Sequence, residues 1–487
     1  MAGSGGAHLR RDNDSVLRVE NLTVEFPIGT SGAKVHAVSD VSLDLLSGET
    51  LGVVGESGCG KSTTGKAIMR VPPPTSGRVM LEGTDLASLD SSQLRESRGR
   101  LQMIFQDPIS SLNPRRTIRD IVAEPLVINW LDSFPRPAVS RWWEQVANVL
   151  VKWGRDRRVI QLMKIALGVL FFGFLLFVVS TAAADVDEFG QRDGGAGADL
   201  GRLVMLVALA LAAPVVAAAV VGAAVWIVLA VLMPVFSIPR ALKIRRARPA
   251  FENEVDEKVA AALEEVGIPP EVSMPKRPHE FSGGQAQRIS IARALILSPD
   301  VIICDEPVSA LDVSVQAQVL NLLEDLKASH DLSLIFIAHD LAVVKNVSDR
   351  VQVMYLGKTC EVANPDALYR APRHPYTRAL MSAIPVADPR IDPRQAFNLE
   401  GELPSPIAPP SGCRFRTRCD RATEECSERE PVLQLLDDGH YVACHHPLDG
   451  DDGGTLVSVA GSSAGHNGSS AGNGSGTGPQ IVLEEDR

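Results

Sequence analysis

The chain has no excess of positive charge. It carries 48 lysines and arginines against 59 aspartates and glutamates, a formal net charge of −11 at pH 7. Nucleic-acid backbones are bound through clustered basic side chains, so this balance argues against a general nucleic-acid binder. Met1–Ser15 carries no apolar run; it is polar and glycine-rich, which predicts no secretory signal and a disordered start over residues 1–15. Cysteine is scarce, seven in 487 residues, and four of the seven crowd near the C-terminus. That distribution points to one local site rather than a disulfide framework. Hydrophobic residues make up 45% and mean hydropathy is +0.07, so a long apolar segment is expected somewhere in a chain with room for two or three domains.

The strongest local signal is Gly55-Glu56-Ser57-Gly58-Cys59-Gly60-Lys61-Ser62-Thr63, which matches the spacing G-x-x-x-x-G-K-[ST] of a phosphate-binding loop. Thr50–Val54 before it reads as a buried strand and Thr63–Met69 after it as a helix, the setting such a loop needs. The glycines let backbone N–H groups face phosphate oxygens, and the helix N-terminus adds positive potential. Lys61 is placed to reach the β- and γ-phosphates and Ser62 to hold Mg²⁺. Upstream, Val16–Phe26 and Val35–Leu45 alternate like strands. Phe26 is read as packing, with stacking on an adenine as the alternative.

Downstream, Leu101–Phe105 reads as a buried strand leading to Gln106. Ser282-Gly283-Gly284-Gln285 opens an apolar helix, with Ser282 suited to cap it and the exposed N–H groups forming a second anion site. Val301–Cys304 is an apolar strand ending in Asp305-Glu306: the first carboxylate is suited to bind Mg²⁺ through water, the second to orient and polarise an attacking water. Asp312 follows, and a further apolar strand, Leu334–Ala338, ends in His339.

This ordered set resembles the ATP-binding subunit of an ABC transporter. Gln106-Asp107-Pro108, Ser111–Arg115, Ala310–Gln318, His374-Pro375-Tyr376-Thr377 and Leu403–Pro406 are similar to the dipeptide/oligopeptide importer branch. The resemblance implies an α/β fold: a P-loop ABC-type nucleotide-binding domain with a RecA-like core, an antiparallel β subdomain and a helical subdomain, spanning 16–126 and 251–385. It implies ATP bound between two head-to-tail ATPase domains. Gly55, Ser57, Gly58, Cys59, Gly60, Lys61, Ser62, Thr63, Gln106, Asp305, Glu306 and His339 would come from one; Ser282, Gly283, Gly284, Gln285 and Asp312 from its mate. His339 would contact the γ-phosphate, and Gln106 would sense Mg²⁺. The implied partners are a second ATPase chain, a paralogue rather than a copy, two permease subunits and an extracytoplasmic solute-binding protein, with the ATPase on the cytoplasmic side of the cell membrane. Peptides are the expected cargo. A nickel- or sugar-importing relative and a non-transport ABC ATPase are the alternatives.

Residues 127–250 exceed the family pattern and read as an insertion. Ile165–Ala184, within a helix expected at about 160–184, and Leu203–Ile238 are uncharged apolar runs, each long enough for the roughly 20 residues of a membrane span. Basic residues flank the pair on its outer sides and Asp185–Gly201 between them is acidic, so a transmembrane hairpin contacting lipid with both ends inside is expected. Residues 386–447 form a C-terminal oligopeptide-transporter region. In it Cys413, Cys419, Cys426 and Cys444 are spaced C-x5-C-x6-C-x17-C. Four thiolates suit an iron–sulfur cluster or Zn²⁺, with no metal, or a disulfide, as the remaining reading. The resemblance implies [4Fe–4S], and Arg414, Arg416 and Arg418 are expected to offset thiolate charge. Residues 448–487 are rich in Gly, Ser and Asn and are expected to be disordered.

Overall fold

The computed structural model describes residues 6–10, 15–29, 32–133, 244–382, 401–437 and 439–449. The N-terminal part is a four-stranded antiparallel sheet of order β2-β1-β4-β5, built from β1 (Ser15–Pro27), β2 (Lys34–Leu46), β4 (Ser76–Leu81) and β5 (Thr84–Asp85). The second sheet has eight strands in the order β11-β12-β10-β9-β3-β8-β7-β6. Its members are β3 (Thr50–Val54), β6 (Leu101–Ile104), β7 (Val301–Asp305), β8 (Ser333–Ala338), β9 (Arg350–Tyr355), β10 (Lys358–Ala363), β11 (Gln434–Asp437) and β12 (His440–Val442). The run β9-β3-β8-β7-β6 is parallel, and β10, β12 and β11 extend it antiparallel.

The central strands are buried on both faces, and their period of two sorts them between two cores. Leu51, Val53, Val301, Ile303, Ile335 and Ile337 join the core shared with the antiparallel sheet. Val54, Ile302, Cys304, Leu334, Phe336 and Ala338 join the core on the helical side. Each of the Val, Leu, Ile and Phe side chains among them contributes about 1.5–3 kcal/mol by leaving water. The register follows, because a slip of one residue exchanges the two sets.

The helices that position the site are α1 (Lys61–Ile68), α2 (Ile118–Ser133), α3 (Gly283–Leu295), α4 (Val313–His330) and α5 (Pro375–Ser382). Residues 244–265 are also helical and lie against α2: Trp130 stacks on Phe251 with centroids 4.2 Å apart, Arg119 Nε donates to Asp256 at 2.6 Å, and Val122, Val255 and Val259 share one core. The membrane expectation is corrected here. Among the described residues no helix is long and apolar enough to cross a membrane. The spans expected at 160–184 and 203–238 lie outside the described residues.

Candidate nucleotide site

The phosphate loop joins β3 to α1. Gly60 caps α1 with φ of 102°, and a Cβ there would lie 2.3 Å from the Ala37 carbonyl oxygen, so only glycine lets the loop lie against β2. Gly55 and Cys59 are buried beneath the loop, while Ser57 and Gly58 are exposed on top. Lys61 is buried, and its ammonium donates to the carbonyls of Gly55 at 2.8 Å and Glu56 at 3.0 Å. The cation is thereby held under the loop's glycines. Thr63 is half-buried on the first turn of α1.

Parallel strands in neighbouring positions end together, and the sequence puts a functional residue just past three of these ends. Gln106 lies two residues beyond β6, Glu306 one beyond β7 and His339 one beyond β8. Their side chains meet. Gln106 Nε2 donates to Glu306 Oε2 at 2.9 Å, and His339 Nδ1 lies 3.2 Å from the same oxygen. Glu306 turns its backbone to φ of 48°, a left-handed conformation that costs a non-glycine residue about 1 kcal/mol or more. Its N–H donates to the Ile337 carbonyl at 2.9 Å, and its own carbonyl accepts from the Ser309 hydroxyl at 3.1 Å. The carboxylate is thus aimed by backbone on both sides.

Asp305, the last residue of β7, accepts a hydrogen bond from the Ser62 hydroxyl at 2.6 Å. Burial pushes its carboxyl above the usual range, against the Ser62 hydrogen bond and the Lys66 ammonium 4.0 Å away. A part-buried hydroxyl and a buried carboxylate supply the hard oxygen donors that fit a divalent cation such as Mg²⁺. Lys66 is the residue that the motif spacing did not flag; its signal is its place one turn beyond the loop on α1.

The signature residues stand apart. Ser282 caps α3 with its hydroxyl accepting from Gln285 N–H at 3.3 Å, and Gln285 Oε1 accepts from Ser282 N–H at 3.1 Å. Ser282 and Gln285 are exposed, Gly283 is half-buried, and Gly284 is buried where α3 crosses α4. A Cβ on Gly284 would lie 2.4 Å from Val315 Cγ1. Asp312 caps α4 without using its side chain, and Val313 beside it is 81% exposed. No hydrogen bond or ion pair among the described residues joins Ser282, Gly283, Gly284, Gln285 or Asp312 to the phosphate loop.

Comparison with known proteins resolves the family. The ABC transporter family matches residues 38–166 and 234–309, and the family described as the oligopeptide/dipeptide transporter C-terminal region matches 360–426. The chain is 38% identical to the putative oligopeptide transport ATP-binding protein YkfD of Bacillus subtilis over 431 residues, covering 88% of this chain and 95% of that one. It is 41% identical to the oligopeptide transport ATP-binding protein OppF of Escherichia coli over 427 residues, covering 86% and 92%, and 38% identical to OppF of Haemophilus influenzae over 441 residues, covering 89% and 97%. The chain belongs to this family of ABC transporter ATPases. It is the ATP-binding, ATP-hydrolysing subunit of a transporter.

The cysteines of this ABC ATPase require a correction. Cys413, Cys419, Cys426 and Cys444 do line one small cavity with His445 and His446. Yet all seven cysteines are free thiols, and no group of three or more His, Cys, Asp or Glu among the described residues is placed to hold a metal ion. Burial pushes the Cys413 thiol up to about 11 and that of Cys444 up to about 12, and raises Cys419. The expectation of an iron–sulfur cluster or zinc at these cysteines is corrected accordingly: the described residues form no such site. The arginines serve elsewhere: Arg414 Nη2 donates to Ser39 Oγ at 2.9 Å, Arg416 Nε to the Ser411 carbonyl at 2.9 Å, and Arg418 pairs with Glu56. This long-range pairing to the phosphate loop gave no signal in the sequence.

Proposed function

We propose that this chain hydrolyses ATP to drive import of oligopeptides, working with permease and substrate-binding partners at the cytoplasmic face of a membrane. The observation that carries the reading is the meeting of Gln106, Glu306 and His339 above a Ser62–Asp305 pair, at the ends of neighbouring parallel strands. The similar OppF and YkfD chains, named for oligopeptide transport, supply the cargo class.

In this reading the ATPase unit is 16–126 with 251–385, the insertion is 127–250, the C-terminal region is 386–447, and 448–487 is a tail. Backbone N–H groups of Gly55 to Gly60 hold the phosphates, with Ser57 and Gly58 on the exposed side of the loop and Thr63 beneath it. Lys61 swings from the Gly55 and Glu56 carbonyls to the β- and γ-phosphate oxygens. Ser62, Asp305 and Gln106 would hold Mg²⁺, which when bound neutralises phosphate charge. Glu306 accepts a proton from the attacking water, and His339 donates to the γ-phosphate. Ser282, Gly283, Gly284, Gln285 and Asp312 complete the site of a second ATPase chain, a paralogue, since within this chain they stand away from the phosphate loop. That arrangement places an exposed helix N-terminus opposite the partner's triphosphate.

The deciding experiment compares phosphate release by the complete transporter containing this chain with the same assembly carrying Glu306→Gln. Loss of turnover with nucleotide binding retained supports the assignment, and unchanged turnover overturns it.

A further inference from the structure

The His374-Pro375-Tyr376-Thr377 motif has no part in the phosphate chemistry above, yet it reaches the phosphate loop. Tyr376 is fully buried at the start of α5, and its hydroxyl accepts the Glu56 N–H at 2.8 Å. His374 fixes that tyrosine: its Nδ1 accepts the Tyr376 N–H at 3.0 Å. His374 is fixed in turn by Glu361 of β10, whose Oε2 accepts the His374 N–H at 2.9 Å and whose Oε1 lies 2.6 Å from His440 Nε2 on β12.

The Glu56 side chain is held from the same region. Arg418 donates through Nη1 to Glu56 Oε2 at 2.7 Å and through Nη2 to Oε1 at 3.1 Å, a bidentate pair across 362 residues. The arginine side chain is 6% exposed and that of Glu56 25%, so the pair is largely shielded from water. Tyr355, Tyr376 and Phe415 pack edge-on beneath it with centroids 4.7 to 5.4 Å apart. With Lys61 on its carbonyl, Glu56 is engaged at N–H, carbonyl and carboxylate alike.

We propose that Arg418 and Tyr376 are positioning residues for the phosphate loop, through which the C-terminal region sets affinity for nucleoside triphosphate. The inference rests on the reading that this loop binds nucleotide. A loop with positive φ at Gly55, Gly58 and Gly60 has many alternative conformations, and binding must select one. Gripping Glu56 selects it in advance, so less ordering is left to the ligand. Arg418 makes no hydrogen bond to Gln106, Glu306 or His339, so its effect falls on affinity and KM rather than on kcat.

The test is a double-mutant cycle reading Kd for Mg-bound non-hydrolysable ATP analogue in the full-length chain and KM and kcat in the complete transporter, with thermal unfolding alongside. Arg418→Ala and Glu56→Gln are each expected to raise Kd about tenfold while kcat stays within about twofold, and the double variant to be no worse than the worse single. Arg418→Lys recovers part of the loss, since an ammonium keeps the charge but not the fork. Tyr376→Phe gives a smaller rise. Arg378→Ala, which breaks the Arg378–Asp420 pair of 2.9 Å in the same region, leaves Kd unchanged. If Arg418→Ala does not fold, Arg418→Lys and Glu56→Gln carry the cycle. Nucleotide binding with independent, additive effects of the two sites overturns the positioning role alone. No nucleotide binding by the unaltered chain overturns the functional reading beneath it.

Discussion

The two ends of the chain assigned to nucleotide differ in how they are held. At the phosphate-loop end the polar groups are bonded to each other across long separations: Ser62 to Asp305, Gln106 to Glu306, Glu56 to Arg418. At the signature end, among the described residues, the Ser282 and Gln285 side chains bond only to each other's backbone N–H, Asp312 caps α4 by backbone alone, and Val313 is left 81% exposed. The first end is assembled within one chain. The second is a helix terminus presented outward. In the proposed arrangement, a site split in this way would make turnover depend on a partner while leaving the fold of each chain independent of it.

The comparison is broken most sharply at Glu306. Glu306→Gln in the assembled transporter is expected to lower phosphate release at least about 100-fold, the usual contribution of a general base, with nucleotide still bound. Equal loss of binding would mean that Glu306 holds the site together rather than acting on water. Lys61→Ala comes next: removing charge-assisted hydrogen bonds to phosphate should weaken equilibrium binding of ATP by roughly 10- to 100-fold. By contrast, Gln285→Ala in an isolated chain should leave that affinity within about twofold, because Gln285 makes no hydrogen bond to the phosphate loop of its own chain.

Acid separates the ends further. Burial holds the His374 imidazole down to about 4 from the ordinary 6.5, and His8 is lowered to a similar value by burial and by Arg350. The unfolded chain therefore binds a proton near pH 6.5 that the folded chain refuses. Stability is full above pH 6.5 and is lost as pH falls from 6.5 toward 4, by up to roughly 3 kcal/mol for each histidine. Urea midpoints at pH 7, 6 and 5 check this, and His374→Gln should flatten the slope. Helix α3 carries no histidine or carboxylate, so amide exchange should loosen first around Tyr376 and Glu56. A pH-independent midpoint would remove this contrast.

The smaller effects lie in the signature helix itself. Gly284→Ala forces a methyl into Val315 and should cost about 1–3 kcal/mol in denaturant unfolding. Ser282→Ala removes a cap and should cost about 1 kcal/mol. If the order of these two reversed, the α3–α4 crossing would be looser than Gly284 implies.

The strand-to-site relation was legible in the sequence because each element is local. Thr50–Val54 and Leu334–Ala338 read as apolar runs, and each motif follows its strand directly. Parallel pairing then brings Gln106, Glu306 and His339 together without further information. The grip on Glu56 was not legible, since Tyr376 and Arg418 lie more than 300 residues away and nothing in their spacing names a partner. The four cysteines misled for the converse reason. Their number suggested metal ligands, but a metal site needs donors converging on one point, and spacing along the chain does not carry that.

Trp130 stacked on Phe251, with Arg119 bonded to Asp256, means that the chain leaves the ATPase along α2 and re-enters beside it. The two helix stems are already zipped to each other, so the fold does not register how much polypeptide passes between them. Closure free energy grows only with the logarithm of loop length, about 2 kcal/mol for a tenfold change. The junction is therefore a port, at which evolution or an engineer can exchange cargo of very different length while the nucleotide machinery keeps its shape.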